Sequence, residues 1–116
     1  MSLMRWIRSR LTHRGKALSL YRTGMAKANK RDYVGAIAAY SAAIRAADIP
    51  IDVKAMAIYN RSLAYTAIHE DEKAADDLAA MLIMPGLSES IKTKARQRRE
   101  RIKRRDKEMD RSVDGG

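Results

Sequence analysis

The sequence predicts an all-α protein in which antiparallel helical hairpins stack as a short solenoid and end in a capping helix. Three observations lead there. Apolar residues make up 46% of the 116, yet there is no Phe and only one Trp. A core of Ala, Leu, Ile, Met and Tyr suits closely packed helices better than sheets. Apolar positions recur at helical spacing, and strand signals are absent. The chain also repeats itself every 38 residues: "GKALSLYRTGMAK" at 15–27, "VKAMAIYNRSLAY" at 53–65 and "IKTKARQRRERIK" at 91–103 superimpose, with Lys16, Lys54 and Lys92 in register.

Residues 1–14 read as a short basic helix of their own. "LMRWIRSRL" places Leu3, Met4, Ile7 and Leu11 on one side, with Trp6 expected to fold back onto the first hairpin rather than lie on an anionic membrane surface. Thr12, in register with Ser88, is the expected cap of the helix that follows. The first hairpin covers 15–48. Leu18, Tyr21, Met25 and Ala28 share a face, "NKRD" supplies the turn, and Ala36, Ile37, Tyr40, Ala43, Ile44 and Ala47 carry the second helix. Pro50 ends it, and Asp52 is the expected cap of the next. The second hairpin covers 53–86, with "HEDE" as its turn and "PG" as its stop. Ser88 then caps a basic helix within 87–111, and 112–116 are expected as a disordered tail.

Net charge is +10, and its placement bears on partners rather than fold. Residues 1–16 carry five bases and no acid, 17–90 eight bases and nine acids, and 91–116 eleven bases and five acids. A neutral body thus lies between cationic ends. With no cysteine there is no disulfide framework, and a cytoplasmic location is expected. The longest apolar run, "LAAMLIM" at 78–84, is too short to span a bilayer.

The hairpins carry a recurring pattern of small and aromatic residues: Gly24, Ala36, Tyr40 and Ala43 in the first, then Tyr59, Asn60, Arg61, Ala64, Tyr65, Ala74 and Pro85 in the second. In this they resemble the tetratricopeptide repeat family, "YNRSLAY" and "DYVGAIAAYSAAI" being close to its typical helices. The likeness covers roughly 17–86 well and 87–103 in part. Departures are Lys27 for Tyr, Ser62 for Gly, Leu78 for an aromatic, Met81 for Ala, and a period longer than the usual one. It implies a right-handed solenoid whose helices touch at Gly24, Ala36, Tyr40, Ala43, Ala64, Tyr65 and Ala74. It further implies a concave groove that binds an extended peptide.

In one subclass Lys, Asn and Arg clamp the carboxylates of an acidic C-terminal tail. Asn60, Lys94 and Arg98 fall on three of those five positions, while Tyr21 and Met25 occupy the other two. The groove contacts expected on this basis are Tyr21, Met25, Asn60, Leu63, Lys94, Gln97 and Arg98. Lys94 and Arg98 stand one turn apart, and an Arg can hold a carboxylate with two hydrogen bonds.

The third repeat is the exception. It keeps only Ile91, Ala95 and Ile102 as an apolar stripe, and no Ala near position 112 begins a partner helix. A capping helix needs a polar outer face, but solubility alone does not demand one sign of charge. The excess of base therefore points to an acidic partner. The alternatives are sequence-blind binding of nucleic acid through the basic ends, or a structural role through homodimerisation.

Catalysis is not expected. His13 and His69 have no ligand-spaced partners, Asp76 and Asp77 read as a solvated pair, and Ser41 and Ser62 lie inside helices. No cofactor or metal is implied.

Overall fold

The computed structural model describes the backbone of residues 2–47 and 49–114, and the side chains of 15–47 and 49–112. Five helices make up the described chain: α1 (Ser2–Asn29), α2 (Tyr33–Arg45), α3 (Ile51–Ala67), α4 (Asp71–Leu82) and α5 (Glu89–Asp114). Each packs on the next along the sequence, and α1 also touches α3.

The two hairpin turns are copies of one another. Arg31 and His69 both adopt the left-handed conformation, at φ 63°. One residue later, the Asp32 N–H donates to the Lys27 carbonyl and the Glu70 N–H to the Tyr65 carbonyl, each at 2.9 Å. These bonds satisfy carbonyls that a helix end leaves orphaned. Asp32 then caps α2, its Oδ1 accepting from the Gly35 N–H at 3.0 Å.

Small residues set the helix spacing. Ala36, Ala43 and Ala74 are fully buried, and Ala64 nearly so. In the first hairpin Tyr40 lies against Gly24, where an added Cβ would fall 2.5 Å from two ring carbons. In the second, 38 residues on, the same two positions hold Ser62 and Leu78, both fully buried. A larger residue on one helix is matched by a narrower one on its partner, as close packing requires. Ser62 disposes of its hydroxyl by donating to the Tyr59 carbonyl at 2.5 Å.

A polar tie joins three helices. Arg61 on α3 grips Asp77 on α4 with two bonds, Nε to Oδ2 at 2.9 Å and Nη2 to Oδ1 at 2.6 Å. Its Nη1 donates to Ser41 Oγ on α2 at 3.0 Å. The carboxylate holds the Arg61 guanidinium above its ordinary pKa, against the opposing effect of burial. Tyr65 is half-buried beneath two cations, with Arg61 at 5.8 Å and Lys73 at 5.9 Å from its ring centre. α5 docks through Ala95 and Ile102 on a cluster that includes Ala55, Ile58, Leu78 and Met81, with Ile91 and Tyr65 alongside.

Several sequence expectations change. Residues 2–14 are not a separate helix: α1 runs unbroken to Asn29, so Thr12 lies inside it and caps nothing. No proline interrupts that stretch, and Gly15 alone does not stop a helix whose following turns are packed. The placement of the Trp6 side chain lies outside the described residues. α2 ends at Arg45, and Pro50 stands at the N-cap of α3, leaving Asp52 in the first turn instead of capping it. Asp71 and Glu72 belong to the first turn of α4, where acids suit the helix dipole. α5 continues through Asp114, well into the expected tail, of which 115 and 116 lie outside the described residues. Asp77 is 6% exposed and paired, not solvated. Sequence spacing cannot distinguish it from Asp76, because both follow from one helical face turning inward by a single residue.

Candidate functional site

The odd-numbered helices share a face. Positions 38 apart occupy corresponding places in the repeated sequence pattern, and so fall on corresponding sides of α1, α3 and α5. That side reads Leu18, Tyr21, Arg22 and Met25 on α1, Met56, Tyr59, Asn60 and Leu63 on α3, and Lys94, Gln97, Arg98 and Arg101 on α5. It is mostly apolar at one edge and cationic at the other.

Direct contacts join the rows. Asn60 Nδ2 donates to Tyr21 Oη at 2.9 Å, linking α3 to α1. The Tyr21 ring leans on Tyr40, with centroids 6.0 Å apart. Burial raises the pKa of the Tyr21 phenol, partly offset by the Asn60 bond. Tyr40 is raised by burial and by the neighbouring Tyr21. Between α3 and α5 lies a recess lined by Tyr59, Lys94, Gln97, Arg98 and Arg101.

The expected groove residues thus divide into two sets. Lys94, Gln97 and Arg98 meet around one recess, and Asn60 and Tyr21 meet through a hydrogen bond. Met25 is half-buried against Ala36, Tyr40 and Ala57, so it serves the core as well as the face. Leu63 is half-buried on the α3 row. Tyr59 and Arg101 are two lining residues that the clamp comparison omits, although the 38-residue register aligns them with Tyr21 and Met25.

Electrostatics separates α5 into faces. Glu89 lies 3.9 Å from Lys92 and 3.7 Å from Arg96, and Glu100 lies 3.8 Å from Lys103. Those pairs lie around the helix from the recess, Arg96 and Glu100 bordering a neighbouring hollow with Gln97 and Arg101. Toward the recess, Lys94, Arg98 and Arg101 form no ion pair among the described residues. Arg98 Nε is buried with no hydrogen-bond partner among the described residues. A buried donor of that kind costs about 1–3 kcal/mol until an acceptor reaches it. The charge and free donors of such a surface suit it chemically to oxygen-rich anions beside an apolar strip. Among the described residues no cluster of His, Cys, Asp or Glu has the grouping to hold a metal, and no helix is long and apolar enough to cross a membrane.

No family model matches the chain, and neither does any curated protein or any solved structure.

Proposed function

We propose that this protein is a non-catalytic interaction module, a short right-handed tetratricopeptide-like solenoid that binds an acidic peptide along the hollow lined by α1, α3 and α5. The observation that carries the reading is the recess where Lys94, Gln97, Arg98 and Arg101 surround Tyr59, with Asn60 on the adjoining row. Lys94, Arg98 and Arg101, with no ion pair among the described residues, supply the attraction, and Arg98 offers a buried donor. Tyr21, Tyr59, Met56 and Leu63 supply apolar contact for the rest of the ligand. A cysteine-free chain fits a reducing cytoplasm.

Homodimerisation through α5 is disfavoured by like charge. Residues 92–105 carry nine bases against one acid, so two such helices repel. Sequence-blind nucleic-acid binding draws on the same cations, but it leaves the apolar rows of α1 and α3 without a role.

The test is fluorescence anisotropy with a labelled acidic peptide. Lys94→Ala should weaken binding about two- to fivefold, the scale of one exposed ion pair. Asn60→Ala should weaken it about two- to tenfold, as for one neutral hydrogen bond. Removing residues 106–116 should change little. Unaltered affinity in both point variants would refute the groove. An oligouridine that binds more tightly than the peptide, with affinity dropping steeply as salt rises, would assign the basic helix to nucleic acid.

A further inference from the structure

Cations that can serve an acidic ligand are not distributed across the three helices. The positions equivalent to Lys94 and Arg101 are Leu18 and Met25 on α1, and Met56 and Leu63 on α3. A peptide crossing the helices meets Lys94 and Arg98 and then a neutral, largely apolar surface, with Arg22 as the one further cation on these rows.

Along α5 the situation is different. Lys94, Arg98, Arg101 and Arg105 recur at intervals of four, three and four residues, which places them within a sector of about 60°. They span about 16 Å of helix at 1.5 Å per residue. The recess at Tyr59 continues into a second one lined by Arg98, Arg101, Ile102, Arg104, Arg105 and Glu108, and the two share Arg98 and Arg101. Of the stripe, only Arg105 has a carboxylate partner among the described residues, Asp71 at 3.3 Å. Beyond Arg105 the charge reverses, since 106–114 hold four acids against Lys107 and Arg111. The cationic trough is therefore bounded, with the apolar α3 row beside it and acids at its far end.

We infer that the acidic ligand lies lengthwise on α5, along Lys94, Arg98, Arg101 and Arg105, as an internal acidic run of extended peptide and not as a chain terminus. This rests on the reading of the hollow as a peptide site. Alternate residues of an extended strand project to one side about 6.6–6.8 Å apart. A run of five acidic residues thus presents three carboxylates over about 13 Å, matching the stripe in length and complementing it in sign. The stripe is a row of separate cations along one helix, which attracts side-chain carboxylates as readily as a terminal one.

The probe is a fluorescein-labelled peptide of five glutamates in Gly-Ser flanks, prepared with both ends blocked and again with a free C-terminal carboxylate. The two forms are expected to bind within about twofold of each other, and a two-glutamate version to bind several-fold more weakly. Arg105→Gln should cost about two- to fivefold and Arg101→Glu about five- to twentyfold, the scale of one and roughly two exposed ion pairs. Both side chains are exposed, so far-UV circular dichroism should be unchanged. If Arg105→Gln binds like the parent while Lys94→Ala and Arg101→Glu both lose affinity, the lengthwise placement is wrong and the transverse groove stands. Dependence on the free carboxylate overturns the inference in the same way. Absence of binding to either peptide overturns both readings. An oligouridine of equal charge that binds more tightly than the peptide gives the stripe to a phosphate backbone instead.

Discussion

At the scale of single residues, the two hairpins solve one packing problem in two ways. Gly24 admits the Tyr40 ring, while Ser62 requires the narrower Leu78. Gly24→Ala should therefore cost about 1–3 kcal/mol through overpacking, of which the helix propensity of Ala returns up to about 1 kcal/mol. Gly24→Ser combined with Tyr40→Leu copies the second hairpin and should recover part of the loss, a non-additivity that urea melts of the cycle would measure. If the double variant is merely the sum of the singles, the two sites are not in the contact described. Tyr21 and Tyr40 add a pH dependence. Their folded pKa values lie above the ordinary phenol value of about 10 because burial disfavours the anion. Above pH 10 the unfolded chain releases these protons first, so the folded state binds more protons and stability falls as pH rises. Thermal melts from pH 9 to 11 should show the decline, and Tyr21→Phe should reduce its slope.

At the scale of elements, the hairpins are held by more than apolar burial. The Arg61–Asp77 pair spans α3 and α4 and reaches α2 through Ser41. Asp77→Ala leaves a mostly buried guanidinium without its anion, and should cost about 2–4 kcal/mol given that Arg61 keeps partial access to water. Arg61→Met with Asp77→Leu should cost less than Asp77→Ala alone, since no unpaired charge then remains. A chemical-denaturation series on these variants decides it, and equal losses would show that the pair is no stronger than a surface bridge. The hairpin helices, their turns and the small-residue seam were legible in the sequence because period, punctuation and residue size all act locally, whereas the fusion of 2–14 with the first hairpin was not. The Arg61–Asp77 tie was not, since "DD" at 76–77 gives no sign of which carboxylate turns inward. Likewise, Lys94, Gln97 and Arg98 could be placed together by register, whereas the lining role of Tyr59 depends on how α5 settles beside α3.

At the scale of the whole molecule, the chain is elongated, 71 × 30 × 17 Å, with long helices first and last. α5 rests on the body through few buried side chains, chiefly Ala95 and Ile102, while most of its surface is charged and exposed. Glu100 stands where Gly24 and Ser62 allow a close helix partner, so the outer side of α5 is built for water and not for another hairpin of the same kind. Like charges three and four residues apart cost about 0.2–0.5 kcal/mol per pair on a helix. Lys94–Arg98, Arg98–Arg101, Arg101–Arg104 and Arg101–Arg105 are such pairs, and together they oppose formation of the α5 helix by about 1–2 kcal/mol at low salt. Most proteins tied by surface ion pairs lose stability as salt rises, whereas here repulsion dominates the exposed charge. Raising sodium chloride from about 0.02 to 0.5 M shortens the screening length below the spacing of these charges. The melting temperature should then rise by about 3–6 °C, the scale of 1 kcal/mol in a domain of this size. Arg101→Gln, which relieves three of the four pairs, should give at low salt most of what salt gives the parent. A melting temperature that falls with salt would mean that the cations of α5 are compensated within the fold, and the stripe would then have no unspent charge to offer a ligand.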